Sequence, residues 1–429
     1  NTGWMNGAIK LATLSDTDDT NVTGAELVTN GTMESNSGWG ALGSPVSQNQ
    51  SNAIAHSGTY SWKFVTSGNY QGIKSASDMS VVSGKTYVIN SWVYPVNDTG
   101  IAVRFGGVLQ VVTGLTQGAW NEVTVTVIAT STSSTSYVQF DTNVNFGSGT
   151  WYIDDVSVRL AEEDRSVNGN GLQVFGTVTK TAVATGADLV AYSGFSGSNY
   201  LQQPYNSDLD FGTGDFCYIW WANIPATSFQ AHFTREYHNG SAFIGPSIEV
   251  FSDAAGKLRL YMSDDGFGTY DTWTSAASIS GMQCFAVARR GGVIDTYIDG
   301  AFDNTHTISA PAGSMNNTSA KLFVGIQGNL SSVSGGSIAL LRISATAPSP
   351  EQIAKIYNDE KHLFQTGAQA TLYGTSDAVT ALAYDDSTDL LHVGTSAGRS
   401  TFQGLRRVEN TTTAVGTTIS ASNGLVAED

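Results

Sequence analysis

Thr86-Tyr-Val-Ile-Asn-Ser-Trp-Val-Tyr94 crowds β-branched and aromatic residues into a single unbroken run. Such side chains lose rotamer freedom in a helix and pack well on a pleated surface, so the run reads as a strand. Similar short runs surround it at Thr59–Val65, Ile101–Phe105, Glu122–Ile128, Tyr137–Phe140 and Trp151–Val158, separated by Gly, Asn, Asp and Ser. Turn residues between short alternating strands are the pattern of a β-sandwich, here over residues 26–160. The preceding 1–25, rich in Asp and Thr, reads as a linker or arm arriving from something upstream. The start at Asn1 suggests a processed, truncated or partial product.

Composition agrees with an all-β chain. The 429 residues exceed what one hydrophobic core usually supports, so two or three domains are expected. Only 13% are charged, Gly occurs 47 times, and the apolar share of 41% can fill several cores. The net charge of −17 disfavours nucleic acid and anionic membrane surfaces, both of which need clustered Lys and Arg. No apolar run reaches the roughly 18 residues needed to insert in a membrane. Cys217 and Cys284 cannot form a disulfide framework and read as buried reduced thiols rather than a bridge.

A second all-β block occupies 166–365, after the charged hinge Ala161-Glu-Glu-Asp-Arg165. Its landmarks are Leu209–Trp221, Phe285–Gly300, Leu322–Gly325 and Ile338–Ile343. One short helix follows: Ser349 is a good N-cap, Pro350 suits the first helical position, Gln352 completes a capping box, and Ile353, Ile356 and Tyr357 share a face. It is expected to cover an edge of the sandwich. Residues 366–429 form a small β segment, with strands at Ala378–Tyr384 and Leu390–Gly394 around an acidic turn. A lone blade of this kind cannot bury both faces and needs a partner.

Leu27-Val-Thr-Asn-Gly-Thr-Met-Glu34, Trp39, His56-Ser-Gly-Thr-Tyr-Ser-Trp62 and Trp151-Tyr-Ile-Asp-Asp-Val-Ser-Val158 resemble, in this order, the galactose-binding-type jelly roll of carbohydrate-binding modules. The landmarks of the second block resemble the laminin-G or concanavalin-A-like lectin sandwich. The whole arrangement, two tandem jelly-roll sandwiches with a Gly-Thr-Ser-Ala-Gly-Arg399 tail, resembles marine phage tail or fibre proteins. That resemblance implies a virion component, extracellular, meeting a host cell-surface glycan and other virion proteins, and homotrimeric. The alternative is a secreted bacterial adhesin, or the carbohydrate-binding accessory portion of a polysaccharide-degrading enzyme.

The first resemblance also implies a structural Ca2+ held by Glu34 in the opening strand and Asp154 in the closing strand, oxygen ligands that suit a hard cation. The competing reading is a solvated turn for Glu34 and a strand-end cap for Asp154. Sugar binding requires exposed aromatic faces, and the candidates are Trp39, Tyr70, Trp92, Tyr94, Tyr270 and Trp273. Trp92 and Tyr94, two apart, share one strand face, a spacing that reads as a core stripe before it reads as a platform.

Nothing in the sequence points to catalysis. The adjacent pairs Asp154–Asp155 and Asp264–Asp265 would point to opposite faces of a strand. The six histidines lack metal-type spacing, and no nucleophile elbow, P-loop or dinucleotide fingerprint occurs. The chain is therefore read as a binding protein and not an enzyme.

Overall fold

The computed structural model describes residues 8–13, 17–225, 229–263, 270–308, 314–376 and 378–414, with the backbone of 419–422 and 425–428. Asp264 and Asp265 lie outside the described residues. Among the described residues the architecture is all-β with one α-helix, Pro350–Glu360.

In the first sandwich one sheet runs Ser47–Ser51, Ser61–Val65, Thr150–Glu162, Thr86–Pro95 and Asn121–Ile128, antiparallel throughout. The facing sheet runs Val108–Thr113, Gly100–Phe105, Gln139–Asp141, Gly72–Ser75 and Trp39–Leu42. Alternation puts Tyr87, Ile89, Val93, Val123, Val125 and Val127 inward, around Trp151 stacked on Phe64 at 5.3 Å.

The second sandwich packs Trp220, Phe233, Phe285 and Tyr218 between two larger sheets. The Phe216–Asn223 strand is apolar on both faces because its outer face is covered as well. Cys217, Ile219 and Trp221 lie under the helix residues Ile353 and Ile356, and Phe364 stacks on Trp221 at 3.8 Å. The helix therefore lies on the sheet's outer face rather than at an edge. Its N-terminus has the expected capping box between Ser349 and Gln352, with Pro350 in the first turn. Cys217 and Cys284 are free and buried; burial pushes the Cys217 thiol up to about 12, so it stays protonated.

Two boundaries differ from the reading of the sequence. The N-terminal 25 residues are not simply a linker: Ile9–Ala12 pairs with Ser337–Ser344, and Val22–Gly24 with Leu172–Ala182, so the arm supplies edge strands to the second sandwich. The 161–165 hinge is locked. The closing strand of the first sandwich runs on to Glu162 and pairs with Leu172 and Gln173. Beside it, buried Asp164 accepts the N–H groups of Ala12, Ser166 and Asn170. Arg159 adds a cation–π contact with Phe175 at 4.2 Å.

The C-terminal segment is a four-stranded meander, Val379–Asp385, Leu390–Thr395, Gly398–Gln403 and Arg406–Thr411. Val379, Leu382, Tyr384, Leu405 and Val408 stand exposed on it.

Candidate functional site

The outer face of the first sandwich carries a group of half-exposed aromatic rings in mutual contact. On the Thr86–Pro95 strand the inward set is Tyr87, Ile89, Ser91 and Val93, which leaves Asn90, Trp92 and Tyr94 pointing outward and only half-buried. Trp92 and Tyr94 are thus outside the core, contrary to the core-stripe reading. In the antiparallel register Trp92 faces Glu122 on one side and Asp154 on the other, while Tyr94 faces Tyr152. Trp120, from the turn before the Asn121–Ile128 strand, meets Tyr94 edge-on at 5.5 Å, and Tyr152 meets Tyr94 at 6.1 Å. Lys63 extends over the Tyr152 ring at 5.8 Å.

His56 completes the group, and a bulge in the backbone puts it there. The closing strand slips register between Asp154 and Ser157, and Asp155 adopts a left-handed φ of 47°. Such bulges re-aim a side chain, at a backbone cost for a non-glycine residue. Here the Asp155 carboxylate receives His56 Nδ1 at 2.7 Å and Ser57 Oγ at 2.8 Å. Asp154 beneath them is buried and accepts the N–H groups of His56, Ser57 and Asp155. The loop is thereby pinned across the sheet, with the imidazole parallel to Trp92 at 3.8 Å and edge-on to Trp120 at 5.7 Å. Burial, with repulsion from Asp155, pushes the Asp154 carboxyl up to about 6 against the pull of those N–H donors.

Glu34 works on the same loop from its other end, its Oε1 accepting Thr59 N–H and Tyr60 N–H, both at 2.9 Å. The surroundings of Glu34 and Asp154 do not fit the calcium expectation. Their oxygens meet backbone N–H groups, which attract anions and repel cations, rather than converging carbonyl and carboxylate oxygens. Among the described residues no group of three or more His, Cys, Asp or Glu is placed to hold a metal. The two carboxylates tie the 54–60 loop to the strands through these hydrogen bonds.

The other aromatic candidates are dispersed. Trp39 is 5% exposed, inside the first core, with its indole N–H spent on Asn30 O at 3.0 Å. Trp273 is 7% exposed, inside the second core. Neither offers an open ring face, so both are corrected to core residues. Tyr70 is 53% exposed but lies beside Arg104 of the opposite sheet. Tyr270 is 37% exposed on the strand it shares with Trp273, edge-on to Tyr261. His56, Trp120 and Tyr152 were not among the sequence candidates.

The second sandwich holds a buried acidic pair that the sequence did not reveal. Glu236 and Glu249, on adjacent strands, are both buried; burial and the nearby Glu249 charge raise Glu236 well above the usual carboxylate range, and burial raises Glu249. Thr234 Oγ1 and Gly328 N–H donate to Glu236, and Gln327 Nε2 to Glu249. The 325–334 segment, bonded to Ala231 and His232, closes over them, so the pair does not front an open cleft. His232 is likewise internal: it accepts the Trp220 indole N–H at 2.9 Å, and burial lowers its pKa to about 3.

Residues 195–354 match the concanavalin A-like lectin/glucanases superfamily, of the laminin G type, which makes the second block a lectin-like β-sandwich. No curated protein matches the chain. Among solved structures, the chain is similar to the binding domain of Paraclostridial Mosquitocidal Protein 1, with TM-score 0.38 and 13% identity over 56% of this chain and 61% of that one. It therefore spans less than two thirds of that domain. It is also similar to domain 4 of AbnA, an extracellular arabinanase from Geobacillus stearothermophilus, with TM-score 0.36 and 16% identity over 46% of this chain and 92% of that one. A third is the Ruminococcus gnavus IT-sialidase module CBM40, with TM-score 0.30 and 11% identity over 34% of this chain and 82% of that one.

Proposed function

We propose that this chain is a non-catalytic attachment protein that binds carbohydrate on the outer face of its first sandwich. The observation that carries this reading is the cluster of Trp92, Trp120, Tyr94 and His56, half-exposed on the outer sheet face and anchored by the Asp154–Asp155 bulge. A pyranose ring presents an apolar C–H face that suits the electron-rich face of an aromatic ring, and its hydroxyls need donors and acceptors at the rim. Asn90, Glu122 and Lys63 supply both kinds around the rings.

The finer reading is a tail or fibre component of a virion, with a host-surface glycan as its target. The exposed apolar side chains of the C-terminal meander support it, because a four-stranded sheet of this kind is stabilised by a partner, and a homotrimer supplies one. The rival is a secreted adhesin or an accessory carbohydrate-binding portion of a polysaccharide-degrading enzyme, for which the same open platform serves equally well. Sedimentation equilibrium separates them: a trimer supports the fibre and a monomer the secreted module. A glycan array probed with the chain and with Trp92→Ala tests the common core. Binding of a defined sugar subset, lost in the variant, is expected; an unchanged pattern in Trp92→Ala would remove the platform.

A further inference from the structure

The aromatic face does not end at Trp92. Glu122, its cross-strand neighbour, is also the first residue of a polar groove between the two sandwiches. One wall is the outward set Glu122, Thr124 and Thr126, and the other is Asn170, Gln203 and Tyr205 of the second sandwich. Asn90 bridges platform and groove, donating from Nδ2 to Glu122 Oε1 at 2.9 Å and to Thr124 Oγ1 at 2.8 Å. The four steps from Glu122 to Thr126, at about 3.4 Å each, give this wall a length of roughly 14 Å, longer than a single pyranose ring.

Resting on the carbohydrate reading above, we infer that the ligand is an extended neutral oligosaccharide, with one unit on Trp92 and Trp120 and the following units in the groove between the sandwiches. The groove's chemistry selects this class. Its polar lining consists of hydroxyls, amides and one carboxylate, with half-buried Tyr205 among them and no Lys or Arg. Hydroxyl-rich chains pair with such a mixed set of donors and acceptors, whereas sulfated or uronate units lying in the groove would meet Glu122 with no Lys or Arg in its lining.

Two lining amides also have unfilled capacity. Gln203 is 2% exposed; its Nε2 donates to Asn170 O at 2.9 Å, while its Oε1 is buried without a partner among the described residues. Asn206 caps Asp208 N–H through Oδ1, and its buried Nδ2 has no partner among the described residues. Buried polar atoms are rarely left this way, and the hydroxyls of a bound chain are partners of the kind both amides lack. The Asp164 lock and the Ala161–Gln173 pairing hold the walls in register before any ligand arrives.

Calorimetric titration of the full chain with β-1,4-linked gluco-, xylo- and manno-oligosaccharides of one to six units tests this. In the series that binds, affinity is expected to rise about tenfold between two and four units. Thr124→Val, an exposed near-isosteric change that leaves the fold intact, should lower affinity for four or more units about fivefold and leave one and two units unchanged. Gln203→Ala should act in the same direction, and Trp92→Ala should weaken every length. Equal affinity for two and four units, or Thr124→Val without effect while Trp92→Ala weakens binding, would overturn the groove and leave the platform standing. Tighter binding of a sulfated than of a neutral chain would overturn it too. Absence of binding at every length overturns the groove, and the platform falls with it if Trp92→Ala also leaves the array pattern unchanged.

Discussion

The two sandwiches share a layered plan and treat their outer faces in opposite ways. The second covers both of its faces with its own chain, the Pro350–Glu360 helix over Cys217, Ile219 and Trp221, and the 325–334 segment over Glu236 and Glu249. The first leaves Asn90, Trp92, Tyr94 and Trp120 half-exposed on its outer face, with the loop that carries His56 crossing it. Aromatic residues alone do not make a site; a strand face becomes available for recognition when no other segment of the chain covers it.

The contrast between inner and outer tryptophans predicts the largest effect. Trp151→Ala, which empties the first core, should cost about 3–5 kcal/mol in denaturant unfolding, and Trp92→Ala less than about 1 kcal/mol. Comparable losses for the two would mean that the outer ring is structural after all. On binding the order reverses: Trp120→Ala should weaken sugar affinity about tenfold, roughly 1.4 kcal/mol, with an unchanged melting temperature.

The closed face of the second sandwich predicts a pH effect. With Glu236 held above its unfolded value, the folded chain binds more protons than the unfolded one between the two values. Its stability should therefore fall as pH rises through that interval, by at most about 1.4 kcal/mol per unit for this one group. Glu236→Gln should flatten the melting profile above the ordinary carboxylate range; an unchanged slope would mean that Glu236 does not carry the effect.

The smallest effect belongs to the bulge. Asp155→Gly relieves the left-handed backbone and gives up the bonds to His56 and Ser57. Stability within about 1 kcal/mol of the parent and a several-fold loss of sugar affinity are expected, because the imidazole is no longer anchored. Unaltered affinity would show that His56 needs no anchor.

Much of the fold was legible because strand alternation, turn residues and helix capping are local signals, and the Ser349–Gln352 cap formed as read. The edge strands at Ile9–Ala12 and Val22–Gly24 were not, since their partners lie more than 150 residues away. For the site, parity showed that Trp92 and Tyr94 share a face but not which face lies inward. The missed clue was Asn90, which falls in the same alternating set and favours solvent. Trp39 and Trp273 illustrate the converse, aromatic rings near turns that the fold draws into its cores. His56 could not be found from local pattern, because the bulge and register that seat it on Trp92 join segments about a hundred residues apart.

The most direct test is fluorine NMR of the chain labelled with 5-fluorotryptophan, each resonance assigned by a Trp→Phe variant and followed as an array-selected saccharide is added. Saturable shifts are expected at Trp92 and Trp120, with Trp151, Trp220 and Trp221 unmoved. Saturated binding with Trp92 and Trp120 unshifted would contradict it.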